Sequence, residues 1–394
     1  MKIQKIEVIT LRFEYPSGKG FHCAGGYCTA RASSLVRVHT DEGISGLGSV
    51  YSHPDLVRVV IEGQLAPMLC GQDPLLIESL WERNYNLTRW YGRRGVAISA
   101  IGGVDMALWD IRGKVERKPI CELLGIRRGC VPAYASALLW RDDPVELEEE
   151  AKRHLASGFH AMKTRLGRDF KYDCDGLFSL RNALGEKYRL MVDANARYGL
   201  SQAERMAPLF NEAGIFWLEE PFPPEDLDSY AALRSKLKVP LAAGENEVAM
   251  MDFRDLMERN LVDIIQPDCC RAGGITECLR IGRLAAEQGR FVATHTWSDA
   301  VALTANLHVL ATLDTDVMLE IDQTGNALIE DLLNEKLELR DGEVIVPRGP
   351  GLGISLNEDA LERYSYPAEE SFPDGNYADM VFGAEYLTPP NPYK

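Results

Sequence analysis

The stretch "MVDANARY", residues 191–198, sets an acidic side chain, Asp193, directly after an apolar run that reads as a buried strand. Taken alone, such an Asp is a turn residue or helix cap, because its carboxylate accepts backbone N–H groups where a strand hands over to a helix. Its neighbours change that reading. "FWLEEP" (216–221) carries Glu219 at the end of a second apolar run, and "PLAAGEN" (240–246) ends a third on Glu245. The three acids recur at intervals of 26 residues. Equal spacing between strand-terminal acids predicts one repeated supersecondary unit that brings three carboxylates to a common face.

The same beat extends in both directions. "VPAYAS", "AMKTRL", "RLMVDAN", "IFWLEEP", "PLAAGEN", "VDIIQPD", "FVATHT" and "VMLEID" are short apolar runs between residues 131 and 322, and helical stretches such as "DPVELEEEAKRHLASGF" separate successive ones. Strand then helix, repeated around eight strands, predicts an α/β fold, a modified (β/α)7β TIM barrel over residues 129–340. A doubly wound open sheet is the alternative, but it wants a Gly-rich phosphate fingerprint after its first strand, and none is present.

Residues 1–128 read differently. "KIEVITLRFEY" and "SSLVRVHTDEGISGLGSVY" are strands flanking a Gly-rich stretch expected to be a long flexible loop, and "TDEG" marks a turn. Helical spacing follows from about Pro54 to Leu124, as in "VAISAIGGVDMALWDIRGKVE". Strands first and helices after predict an α+β capping domain. Residues 341–394, with "GEVIVPRGPGLGI" from Gly342 onward, read as a hairpin and tail expected to leave the barrel and return to that cap.

At 394 residues the chain affords a large core, and 46% apolar with 26% charged residues is ordinary soluble usage. A formal net charge of −16 argues against nucleic acid or an anionic membrane as the main partner. No run reaches membrane-spanning length and "MKIQKIEVIT" has no signal-peptide core, so a cytoplasmic protein is expected. Nine cysteines without CxxC spacing suit reduced thiols, and Cys269 and Cys270 are expected to pack as small apolar residues.

In a parallel barrel the strand C-termini share one rim, where active sites form. The polar strand-end residues are Lys163 and Arg165, Asp193 and Asn195, Glu219, Glu245, Asp268, His295 and Glu320. Buried carboxylates are costly to desolvate unpaired, so a positive partner is expected among them. Asp193, Glu219 and Glu245 offer three hard oxygen donors, which suits Mg2+ better than Zn2+. Asp268 and His295 lie on adjacent strands, where the Asp can fix the imidazole tautomer for a general base. His308, in "ALTANLHVLAT", is expected to be a structural hydrogen-bonder.

With "QPDCCRAGGITE", "THTWSDAVALTANLHVLA", "MLEID", "PRGPGLGI" and the three acids, the sequence resembles the enolase superfamily and, within it, the mandelate racemase-like subgroup over nearly the whole chain. The resemblance implies Mg2+-assisted removal of the proton α to a carboxylate, giving an enediolate. That proton is weakly acidic, and a fixed cation with aimed donors is what lowers the barrier. The subgroup commonly ends its second barrel strand in Lys-x-Lys, whereas this chain has Lys163-Thr164-Arg165. Arg keeps its proton and is a poor base, so one-sided chemistry is expected rather than racemisation.

The expected activity is dehydration of a sugar acid to its 2-keto-3-deoxy product, with an isomerase, either epimerase or cycloisomerase, as the second enzymatic reading. A non-catalytic sugar-acid binding protein is the reading from another class. Glu320 is expected to hydrogen-bond the substrate in protonated form, and Lys163 and Arg165 to hold the substrate as cations. Asn195 and, from the cap, His22, Tyr91 and Arg93 are expected substrate contacts. The expected partner is a small-molecule carboxylate, and the resemblance implies a homo-oligomer.

Overall fold

The computed structural model describes residues 1–24, 26–367, 370, 376–377 and 380–382. Strands β1 (Ile3–Glu14), β2 (Phe21–Cys23), β3 (Gly26–Thr40) and β4 (Ser45–Val50) form an antiparallel sheet with β3 at its centre. The stretch expected as a flexible loop is thus partly strand. Phe21, His22 and Cys23 pair with Cys28, Tyr27 and Gly26. Phe21 and Cys23 are buried and His22 is exposed, an alternation that the glycines around it obscure in the sequence.

The sheet packs on the helix Val96–Glu116, whose residues are buried almost all round. Close approach sets that contact: a Cβ at Gly48 would lie 1.9 Å from the Gly103 carbonyl oxygen. The helix Ile77–Gly92 buries Ile77, Leu80, Trp81, Asn84 and Thr88 on one face and leaves Leu87, Trp90 and Tyr91 outside.

Eight parallel strands follow: β5 (Cys130–Ser136), β6 (Ala161–Arg165), β7 (Arg189–Asp193), β8 (Leu218–Glu219), β9 (Leu241–Ala243), β10 (Ile264–Ile265), β11 (Phe291–Thr294) and β12 (Val317–Asp322). Each pairs with the next, and β12 pairs with β5, closing the barrel. Seven helices of 8 to 15 residues join successive strands, which is the expected (β/α)7β order. No helix among the described residues is long and apolar enough to cross a membrane.

Side-chain alternation then builds the interior in tiers. Tyr134, Ala161, Met191, Trp217, Ala242, Ile264, Ala293 and Met318, one from each strand or its leading residue, form a separate buried cluster that plugs the barrel. Two residues further along the same chains stand Ser136, Lys163, Asp193, Glu219, Gln266, His295 and Glu320, all buried. The period of two that makes a strand thereby turns an apolar floor into a polar ring.

The C-terminal hairpin, β13 (Leu339–Arg340) with β14 (Glu343–Ile345), stays on the barrel, β14 pairing antiparallel with β5. The return to the cap comes later. Strand β15 (Asn376–Tyr377) pairs with β16 (Met380–Phe382), and β16 adds to β3.

Candidate active site

The polar ring is where the predicted residues meet. Asp193, Glu219 and Glu245 each present an oxygen, and the three oxygens lie within 4.8 Å of one another. Asp193 and Glu219 follow the tier register, but Glu245 falls one residue out of step. Gly244 makes this possible: its φ is +141°, and a Cβ there would lie 2.9 Å from the Gln266 nitrogen. Three hard, mutually repelling oxygens fit a divalent cation. Glu245 Oε2 is buried without a hydrogen-bond partner, which supports that fit.

The backbone around the ring is held in rarely used conformations. Asn195, Ala196 and Glu220 all have positive φ, 42°, 59° and 36°. Asn195 N–H donates to Asp193 Oδ1 at 2.8 Å, so Asp193 is a turn residue as well as a ring carboxylate. Trp217 Nε1 donates to Glu219 Oε2 at 2.9 Å and fixes that side chain from the floor.

Cations sit among the acids. Lys163 Nζ contacts Glu219 Oε1, reaches Glu320 Oε1 at 2.8 Å and Asp193 Oδ2 at 3.4 Å. Arg165 Nη1 is 2.6 Å from Asp193 Oδ2. Burial alone would push Asp193 up, but Arg165 and Lys163 hold it below its ordinary value. Burial and the neighbouring Asp193 charge push Glu219 up to about 8. For Glu320, burial is outweighed by Lys163, His295 and Arg165, which hold it down to about 2. That direction is opposite to the protonated form expected of Glu320 in the working complex with substrate; the side chain also accepts the Thr296 N–H at 2.9 Å.

The dyad forms as expected. His295 Nδ1 is 2.8 Å from Asp268 Oδ2, which leaves Nε2 facing the ring, 3.9 Å from Glu245 Oε2. Asp268 is itself fixed by the Cys270 N–H at 2.9 Å and Asn306 Nδ2 at 3.0 Å. Burial would lower the His295 pKa, but the Glu245 and Asp268 carboxylates raise it to about 9. The Tyr51 ring stands edge-on to the imidazole, centroids 5.5 Å apart.

The cap contacts are only partly assembled. His22 is exposed on β2 and bridges to Trp140 in the loop after β5, and Ala24 O accepts from Arg197 Nη1 at 3.2 Å in the loop after β7. The β2 hairpin, with Gly25 outside the described residues, thus lies over the rim. Tyr91 and Arg93 are exposed at the end of their helix, and among the described residues no hydrogen bond or ion pair joins either to the ring. Helical phase explains this: Thr88 and Gly92 take the buried face, so 91 and 93 point outward. Arg94 instead pairs with Asp252 at 2.6 Å.

Other residues of the site were not singled out from sequence. Glu220 is buried beside the ring and accepts from Asn246 Nδ2 at 2.9 Å, and Asn246 Oδ1 accepts from Arg271 at 2.9 Å. The sequence signal for Asn306 was present, a polar residue inside the apolar helix Ala300–Leu310. Cys269 and Cys270 are fully buried, as expected.

A trio of converging carboxylates and an Asp–His dyad on the C-terminal rim of a capped (β/α)7β barrel define an enolase-type protein. The chain matches the mandelate racemase / muconate lactonizing enzyme N-terminal domain over residues 5–125 and the enolase C-terminal domain-like family over 146–360. It belongs to the mandelate racemase-like subgroup of the enolase superfamily. A D-galactarolactone cycloisomerase of Agrobacterium fabrum is 35% identical, covering 93% of this chain and 100% of that one. An arabinonate dehydratase of Saccharolobus solfataricus is also 35% identical, covering 84% and 89%. Among solved structures, the L-talarate/galactarate dehydratase of Salmonella typhimurium, liganded with Mg and L-lyxarohydroxamate, superposes with a TM-score of 0.85. It is 28% identical, with 93% of each chain covered.

Proposed function

We propose that this protein dehydrates a sugar acid to a 2-keto-3-deoxy acid, with Asp193, Glu219 and Glu245 holding one Mg2+. The observation that carries the reading is the asymmetry of the rim: one imidazole, with Nε2 toward the ring, while β6 brings Lys163 and Arg165, both engaged with carboxylates, and Arg165 keeps its proton at any working pH. Bound there, the cation would supply Lewis-acid withdrawal from the substrate carboxylate and would offset the Glu245 charge that favours a protonated His295.

His295 Nε2 takes the proton from the carbon α to the carboxylate. The electrons left behind form a carbon–carbon double bond as the β carbon–oxygen bond breaks. The proton on Nε2 then leaves with the departing hydroxyl as water, and the enol product tautomerises to the 2-keto acid. Asp268 keeps Nδ1 engaged throughout and so fixes which nitrogen works. Lys163 and Arg165 supply positive charge where the substrate carboxylate gathers it.

Relatives named as arabinonate, galactonate and L-talarate/galactarate dehydratases support this reading. A cycloisomerase is the second reading, supported by the Agrobacterium relative that the chain covers end to end. It starts with the same one-sided proton removal but leaves the mass unchanged.

The test is α-proton exchange and turnover in D2O with Mg2+ on a panel of aldonic and aldaric acids. His295→Asn should lower both by roughly 10²–10⁴-fold, the usual contribution of a general base. Normal turnover and exchange in that variant would overturn the assignment.

A further inference from the structure

One buried side chain of the cap reaches the tier above the polar ring. Arg31, on β3, is fully buried. Its Nη1 is 2.7 Å from Asp322 Oδ2 at the end of β12, and its Nη2 donates to the Trp297 carbonyl just beyond β11. Its guanidinium carbon lies 5.0 Å from the centroid of the Trp297 ring. The Arg165 guanidinium carbon lies 5.0 Å from the same centroid.

Two buried guanidiniums sharing one indole is an expensive arrangement. Each charge is costly to desolvate, and an apolar side chain in place of Arg31 would pack against Trp297 without that cost. The arrangement instead ties position to position. Arg165, Trp297 and Asp322 stand two residues beyond Lys163, His295 and Glu320, so they occupy the next tier toward the mouth. Asp322 is fixed in turn by the Thr324 N–H at 2.8 Å and by Asn326 Nδ2 at 3.2 Å. Phe21, from the β2 hairpin, stands edge-on to the Trp297 ring at 6.5 Å. Arg165 has Asp193 on one side and this indole on the other, and flat guanidiniums seat best on such a face.

We infer that Arg31 and Trp297 are positioning residues for Arg165: the cap, through the indole, sets the guanidinium that holds the substrate's carboxylate end. The inference rests on the proposed role of Arg165 and adds that the cap controls that role from outside the reacting atoms.

A double-mutant cycle tests it, with oxalate in Mg2+ as the probe read by calorimetry and KM and kcat measured on whichever acid turns over. Trp297→Leu should weaken oxalate roughly tenfold when Arg165 is present, and by less than about twofold in the Arg165→Met background. Trp297→Phe should restore part of the loss. Arg31→Met alone strands Asp322 as a buried unpaired charge and threatens folding, so it is made with Asp322→Asn. That pair should show the same dependence on Arg165, with the loss in KM exceeding that in kcat. Equal losses in both backgrounds, tracking a lower Tm, would mean packing alone and overturn the inference. So would failure of the native chain to bind oxalate, since Arg165 would then hold no carboxylate. If oxalate binds and the cycle couples but no acid loses water, the dehydratase reading fails while this inference stands.

Discussion

At the scale of single residues, Glu245 is the informative member of the trio, because it sits out of strand register and leaves a buried oxygen without a hydrogen-bond partner. Mg2+ should raise the Tm of the native chain by preferential binding, and Glu245→Gln should abolish most of that rise. The opposite result, an equal Mg2+ shift in the variant, would remove Glu245 from the ligand set. His308 offers a second test. It accepts the Cys121 N–H at 3.3 Å and donates to Leu352 O at 3.0 Å, and burial lowers its pKa to about 4 from an ordinary 6.5. The unfolded chain therefore binds the extra proton first. The contribution of this one group is full above about pH 6.5 and falls as the pH drops toward 4, by roughly 3 kcal/mol. Denaturant titrations across that range should show the fall, and His308→Gln should flatten it. The convergence of the ring residues was legible in the sequence because strand-end position and residue type coincide there. That Tyr91 and Arg93 stand apart from the ring was not legible because composition says nothing about helical phase, and Arg31 and Trp297 went unseen because they meet across 266 residues of sequence.

At the scale of elements, close backbone contacts decide how strand meets helix. Gly48→Ala would put a methyl group into the Gly103 carbonyl, so it should destabilise the chain by about 1–3 kcal/mol, read as a lower denaturation midpoint with an unchanged slope. An unaffected midpoint would mean that β4 and the helix Val96–Glu116 can separate freely. All eight barrel strands were legible, because buried parallel strands are near-continuous apolar runs bounded by helices. The β2 hairpin was not, since its three residues lie between Gly20 and Gly26, and such short alternation carries little signal. The hairpin β13–β14 was foreseen as a hairpin, but its pairing with β5 depends on a strand more than 200 residues earlier.

At the scale of the whole molecule, cap and barrel are joined by charge as well as by apolar packing. Asp299 caps the helix Ala300–Leu310 through the Val301 and Ala302 N–H groups at 2.8 and 3.0 Å. Its other oxygen accepts the hydroxyls of Ser33 and Ser49, both from the cap sheet. Asp299→Ala removes the cap and strands those hydroxyls, at a cost of roughly 3–5 kcal/mol in unfolding free energy. A loss below about 1 kcal/mol would show that the junction does not rely on this carboxylate. The helix Ala300–Leu310 and the cap sheet would then be joined by apolar packing alone. The most direct measurement of the central claim is the mass of the product formed from sugar acids in the presence of Mg2+. The account predicts a 2-keto acid lighter by one water, trapped as its semicarbazone, whose formation stops on chelation. A Mg2+-dependent product of unchanged mass would contradict dehydration and assign the protein to isomerisation.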